Sequence, residues 1–336
     1  MNYTWKNRSV VITGGAGCIG SILAKRLVQE GANVKILDNL ERGALEFITP
    51  FIDKVDFHQM DLRNLEETRD CLKGSEVVFH LASKVGGIKV YLNHPGDILN
   101  NNLLIDQNVF KAIIEHRIPS VFYASSAHVY PEERQQTPDS SPLTEDEAYP
   151  ANPGLSYGWG KLIGEQTLEG FAQEHPWLRV SIARIVGAYG YNQDIGLETG
   201  SVIPVLCHRA LRANRREAIP LWGTGEETRS YCFIDDVVDA ILRSISAQKN
   251  HSIVGPFSLG QEGRVTIKTI AEHIIKIADK DLTLSFDLSV KTTLWGQAVT
   301  CTLAKQLLYD WVPNTSFEEG LKKTYEHVKT RLPNET

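Results

Sequence analysis

Tyr157 and Lys161 stand four residues apart in the run Ser156-Tyr157-Gly158-Trp159-Gly160-Lys161. On a helix that spacing puts both side chains on one face, where an ammonium beside a phenol favours its ionised form. A tyrosine in water holds its proton to a pKa of about 10, too high for a base near neutrality. The lysine charge is expected to close that gap. With a hydride acceptor elsewhere in the chain, such a pair implies hydride transfer at a carbon bearing a hydroxyl group.

The acceptor's place is set by Thr13-Gly14-Gly15-Ala16-Gly17-Cys18-Ile19-Gly20. The run follows a strand-like segment and opens a helix-like one, the context in which spaced glycines carry meaning. They let the backbone turn tightly and approach a pyrophosphate, whose charge then meets the amide groups and positive end of the helix dipole. Eighteen residues after Gly20, Asp38 closes the second strand pattern. A carboxylate there accepts the adenosine ribose hydroxyls and repels a 2′-phosphate, which favours NAD over NADP. Arg42 either softens that preference or is a solvated loop residue. Asp61, with Leu62, is placed to meet adenine or to cap the next helix. Asn39, and Leu81 and Ala82 at the end of the fourth strand, complete the expected cofactor wall.

The elements that must position these groups are legible as alternation. Ser9–Thr13, Asn33–Asp38, Val55–Gln59, Val77–Leu81, Ser120–Ala124 and Arg179–Arg184 read as strands separated by amphipathic runs, which means a parallel sheet covered on both faces. In the first helix Ile19, Ile22, Leu23, Leu27 and Val28 form one stripe, ended by Gly31. Further helices are expected near Pro95–His116, Ser156–His175, Val202–Ala213, Asp236–Ser246, Ile267–Ala278 and Phe317–Val328. The stretch from Tyr130 to Pro153, rich in Pro, Ser, Asp and Glu, reads as a long loop poised to cover a site. The fold class is therefore α/β, a Rossmann-type doubly wound parallel sheet over residues 1–188. A smaller substrate lobe over 189–336 is interleaved with its last strands.

Composition excludes several classes. A chain of 336 residues with 42% hydrophobic content buries a sizeable core. Net charge −6 gives no basic field for nucleic acid, so the expected partner is a small molecule. No stretch reaches the roughly 18 apolar residues of a membrane span and no apolar signal region precedes the first strand, so a cytoplasmic setting is expected. Cys18, Cys71, Cys207, Cys232 and Cys301 are scattered without CxxC spacing, which argues for reduced thiols and against a bound metal.

Ser126, in Ala124-Ser125-Ser126-Ala127-His128-Val129-Tyr130, falls at the carboxyl edge of the fifth strand, where it can meet Tyr157. With these residues together, the chain resembles the extended short-chain dehydrogenase/reductase family of nucleotide-sugar epimerases and dehydratases over nearly its whole length. Val85-Gly86-Gly87-Ile88, Tyr130-Pro131-Glu132, Tyr149-Pro150-Ala151-Asn152-Pro153 and Trp222-Gly223-Thr224-Gly225-Glu226-Glu227-Thr228-Arg229-Ser230 resemble its GDP-mannose 3,5-epimerase and GDP-fucose synthase branches. The resemblance implies that Tyr157 takes a hydroxyl proton, Lys161 holds the nicotinamide ribose and Ser126 bonds the reacting oxygen, giving a transient keto-sugar. It also implies that Gly87 lines the sugar site, that Arg229 and Arg209 hold the diphosphate, and that the protein is a homodimer built on the Tyr157 helix. Asn102 matches a family asparagine that helps to position the site, and read alone is equally a polar helix residue.

The pattern also breaks. His128 stands where those branches carry a catalytic cysteine and where 4,6-dehydratases carry a glutamate. An imidazole of reference pKa about 6.5 is a competent base for the C–H bonds beside a ketone, so His128 is either that base or a structural residue. Ser201 and Val202 occupy the place of the lysine or histidine that supplies the second acid, and Ala127 replaces the dehydratase aspartate. Gly187 and Gln297 replace an asparagine and an arginine that contact substrate. Epimerisation at C4 needs only Ser126, Tyr157 and Lys161, and is the expected reaction. C3/C5 epimerisation or elimination with His128 as base is the alternative. A dinucleotide-sensing binding protein on the same fold would have no need of the tyrosine and lysine pair.

Overall fold

Strand runs such as Val77–His80 are buried along their whole length, which requires helices on both faces of the sheet. The computed structural model describes residues 4–289 and 294–332. Its central sheet has seven strands, in the spatial order 253–259, 179–185, 120–126, 77–80, 9–13, 33–38 and 55–59. Every neighbouring pair is parallel. Strand 9–13 lies between 33–38 and 77–80, so the chain order reverses there and a crevice opens at the carboxyl ends.

The expected elements form with small changes of boundary. The fifth strand continues to Ser126 and the last helix to Arg331, while the fourth strand stops at His80. In the first helix, Cys18–Gln29, Leu23 and Leu27 are buried and Gly31 takes φ +81° just past its end. Several elements carry no clear pattern in the sequence, and two of them belong to or pack on the main domain. Helix Leu65–Leu72 is short, and Asn64 caps it by accepting the Glu66 and Glu67 amides. Strand Ile253–Leu259 contains Gly255-Pro256, which argues against a central strand, yet the register shift between Val254 and Phe257 accommodates the proline at the sheet edge.

Beyond Tyr189 a separate hydrophobic cluster forms around Tyr189, Tyr231 and Phe233, packed by helices Val202–Arg212, Ile267–Ala278 and Phe317–Arg331. Helix Ile234–Ala247 and strand 253–259 then return to the main sheet.

The loop from Tyr130 to Pro153 does not cover the site. Its ends meet at a Pro131–Pro153 bridge, the Leu143 amide donates to Ala298, and the Pro138 carbonyl accepts Thr228 and Arg264. Its Pro and Glu content thus marks a staple between sheet and C-terminal segment, and none of its residues from 131 to 153 lines the clefts described next.

Candidate active site

Strand 120–126 delivers Ser126 to the sheet edge and passes directly into a turn, Ala127–Val129, that folds His128 back over it. Ser126 Oγ accepts the His128 amide at 3.2 Å and lies 3.1 Å from His128 Nδ1. The Tyr157 helix, Ser156–Glu174, starts above this turn, and only glycine fits at 158, because a Cβ there would overlap the His128 carbonyl. Tyr157 is held between two rings: Tyr91 at 5.2 Å and His128 edge-on at 5.7 Å. Lys161 Nζ lies 5.9 Å from the Tyr157 ring centre and 4.7 Å from that of Tyr123.

The electrostatics correct one expectation. Burial pushes the Tyr157 phenol above its ordinary pKa, and the neighbouring Tyr91 and Asp106 push the same way, opposed by hydrogen bonding with Ser83 and Ser126. The Lys161 charge therefore does not by itself bring the Tyr157 pKa down to neutral pH. Lys161 is buried as well, and desolvation lowers its own pKa against the pull of Asp106 and Glu165. His128 is pushed down to about 4 by burial and by the Arg229 charge, so its imidazole is neutral at pH 7.

A cleft of about 440 Å³ runs from the glycine loop to these groups. A Cβ on Gly14 would stand 2.9 Å from the Ala82 backbone, and one on Gly17 3.1 Å from the Gly14 carbonyl. One on Gly20 would overlap that same carbonyl, so the helix start approaches the loop only as glycine. Cys18 and Ile19 line the same wall, and burial pushes the Cys18 thiol up to about 12. Asp38 is 8% exposed; its carboxylate accepts the Ala16 amide at 3.0 Å and the Leu40 amide at 2.8 Å. The ribose site is thereby tied to the glycine loop. Asn39, Asp61, Leu62, Leu81 and Ala82 complete the cleft, and the donor set and glycine cradle fit a dinucleotide.

Three residues have contacts that their types and positions in the sequence do not reveal. Asp61 is not the helix cap, which is Asn64; it accepts the Arg63 amide at 2.9 Å and pairs with the Arg63 guanidinium. Asn102 is not part of the cleft wall. Its carbonyl accepts Ser83 Oγ and the Lys84 amide, and its amide donates to the Lys84 carbonyl at 3.0 Å, so it shapes the loop after the fourth strand. Arg42 is no free loop residue but pairs with Asp194 at 3.3 Å, linking the cofactor wall to the segment beyond Tyr189.

A second cleft of about 440 Å³ joins the first, with His128, Ser201 and Gln297 lining both. Gly87, Tyr91, Arg209, Trp222 and Arg229 are among its walls. Neither arginine is placed as a simple surface ion pair. Arg229 is half-buried and donates to the Thr228 and Leu294 carbonyls at 2.7 and 2.8 Å. Arg209 donates to the Pro220 carbonyl and lies 6.0 Å from the Trp222 ring centre. Gln297 is 5% exposed, and among the described residues its buried Nε2 has no hydrogen-bond partner. A buried amide donor left unpaired at a cleft wall is poised for a ligand oxygen. Tyr91, Ser83 and Arg63 escape sequence reasoning, because each acts through a tertiary contact that leaves no local pattern.

The signature of the NAD-dependent epimerase/dehydratase family matches residues 10–260. The chain belongs to this family. It is 30% identical to GDP-mannose 3,5-epimerase of Arabidopsis thaliana over 98% of its length and 84% of the relative's. It is 24% identical to GDP-L-fucose synthase 1 of the same plant, over 96% of this chain and 93% of that one. Among solved structures, UDP-glucose 4-epimerase with UDP-glucose, from Thermotoga maritima, superposes with a TM-score of 0.84 at 26% identity, covering 96% of this chain and 99% of the other. As a member of the NAD-dependent epimerase/dehydratase family, the protein is an enzyme that uses NAD.

Proposed function

We propose that this enzyme epimerises a nucleotide sugar at C4 through a transient keto-sugar. The observation that carries the reading is the convergence of Ser126, Tyr157 and Lys161 at one cleft end, beside His128 and Ser201. NAD would be held by the Gly14, Gly17 and Gly20 cradle and Asp38, and would supply hydride acceptor and donor chemistry at the sugar carbon. Tyr157 exchanges the hydroxyl proton, Ser126 holds the reacting oxygen, and Lys161 supplies the positive charge beside them. The pairing of base and acid that C3 or C5 inversion requires is weakened at Ser201, whose Oγ accepts Gln193 Nε2 at 3.2 Å. Ala127 is buried in the core and offers no acid for elimination.

Substrate recognition is assigned to the second cleft. Arg229 and Arg209 meet the diphosphate, for which a guanidinium fork is suited, and Gly87 lets the sugar approach the backbone. Residues 1–188, completed by the returning strand, hold NAD, and the remainder of 189–336 shapes the substrate side.

A second reading has its own observation. His128 is neutral and lines both clefts, and a neutral imidazole there is a competent C–H base for C3 or C5. Incubation with UDP-, GDP-, CDP- and ADP-sugars tests the leading reading: conversion to a C4 epimer without net NADH supports it. Stoichiometric NADH makes the enzyme a net oxidoreductase.

We also propose a homodimer through helices Pro95–Glu115 and Ser156–Glu174, supported by the exposed Leu104, Trp159 and Ile163 on them. Sedimentation of the purified enzyme at one subunit's mass contradicts it.

A further inference from the structure

Beneath Lys161 lies a chain of buried polar groups that no step above uses. It begins at Thr13, whose hydroxyl oxygen accepts the Leu81 and Ala82 amides at 3.2 Å each and lies 2.7 Å from His80 Nδ1. His80 Nε2 is 2.9 Å from Asp106 Oδ1. A carboxylate only accepts, so Nε2–H donates and the Thr13 hydroxyl donates to Nδ1. The other oxygen of Asp106 accepts the Tyr123 hydroxyl at 2.6 Å. The Lys161 ammonium then sits 4.7 Å from the centre of that Tyr123 ring.

All four partners are sealed from solvent: His80 and Tyr123 are 0% exposed, Asp106 and Lys161 2%. The helix is cut to fit them. A Cβ on Gly164, one turn past Lys161, would overlap the Tyr123 hydroxyl and stand 2.9 Å from Asp106 Oδ2. A carboxylate buried against neutral donors alone is costly, and the cation that it faces here is Lys161.

We propose that Asp106 is a positioning residue of the active site: aimed by His80 and Tyr123, its charge fixes the Lys161 ammonium over the Tyr123 ring and keeps it a cation while Tyr157 exchanges protons. The proposal rests on the reading of Tyr157 and Lys161 as the acid–base pair. The other groups facing Lys161 do not replace Asp106. Glu165, on the same helix, is engaged by Arg184 at 2.8 Å and by Ser125. His80 is kept neutral by burial, which lowers its pKa. Tyr157 is neutral until it reacts. Asp106 holds up both the lysine and, less usefully, the phenol, so its removal lowers both.

The test is NMR titration of protein with isotope-labelled lysine Cε carbons, Lys161 being assigned by loss of its signal in Lys161→Met. In Asp106→Asn the Lys161 midpoint falls by about one pH unit or more. Both limbs of the rate–pH profile move to lower pH, with KM for the sugar unchanged. Asp106→Glu, which returns the charge, moves the midpoint back towards wild type. Should Asp106→Asn not fold, Tyr123→Phe keeps the aromatic seat, removes the hydroxyl that aims Asp106, and shifts the midpoint the same way by less. An unmoved Lys161 midpoint in a folded variant, with only a lowered melting temperature, overturns the proposal. The titration needs no substrate, so it stands apart from failure to find turnover.

Discussion

His128 Nδ1 lies 3.1 Å from Ser126 Oγ, and the same oxygen accepts the His128 amide. The histidine is therefore fastened to the serine proposed to hold the reacting sugar oxygen. Under the C4 reading it orients Ser126 and moves no carbon-bound proton. Replacement by alanine then lowers kcat by roughly tenfold, about the worth of one hydrogen bond of 1 to 1.5 kcal/mol, and leaves a measurable rate. Initial rates of His128→Ala against wild type check this; complete loss contradicts it.

His128 also predicts a stability signature. Its folded pKa, about 4, is below the unfolded reference of about 6.5, so the unfolded chain binds more protons between those values. Its contribution is full above pH 6.5 and is lost as pH falls towards 4, on the order of 3 kcal/mol in all. His80 and His327 are lowered in the same direction and add to the slope. Denaturant melts from pH 7 to pH 4 measure the effect. Its share is isolated by His128→Asn, whose stability declines less steeply than wild type.

Tyr157→Phe removes the proton acceptor and leaves the glycine cradle and Asp38 intact. Turnover falls by about a thousandfold, in the range general acid–base groups contribute, while NAD affinity stays within about threefold. NAD titration by calorimetry alongside rate measurement separates the two effects.

Much of this arrangement is legible in the chain. Ser126, Tyr157 and Lys161 are found by strand end and helical spacing, and Gly14, Gly17 and Gly20 by their position between strand and helix, because each is fixed by local geometry. Tyr91 is invisible at that level, since its packing on Tyr157 depends on where helix Ile88–Asn93 lands. Strand 253–259 is hidden by Pro256. The state of the Tyr157 phenol is hidden for a different reason: spacing reveals the Lys161 charge but not the desolvation that opposes it.

Asp38 predicts cofactor choice. Asp38→Ser removes the acceptor for the ribose hydroxyls and the charge that repels a 2′-phosphate, so NAD binding weakens by about tenfold while NADP binding tightens. Parallel titrations with both cofactors check it; unchanged selectivity places the ribose elsewhere.

Gln297 predicts substrate affinity. Its unpaired buried Nε2 gains a partner when the sugar binds, so Gln297→Leu raises KM by about tenfold with little change in kcat. A variant with unaltered KM removes Gln297 from the sugar site.

Under the C4 reading the carbon inverted is the one oxidised. Proton NMR of the enzyme turning over a nucleotide sugar in deuterium oxide tests it directly. The expected product is a C4 epimer carrying no deuterium on carbon, since the hydride leaves and returns without meeting solvent. Deuterium at C3 or C5, or a dehydrated 4-keto product, contradicts it and makes His128 the base.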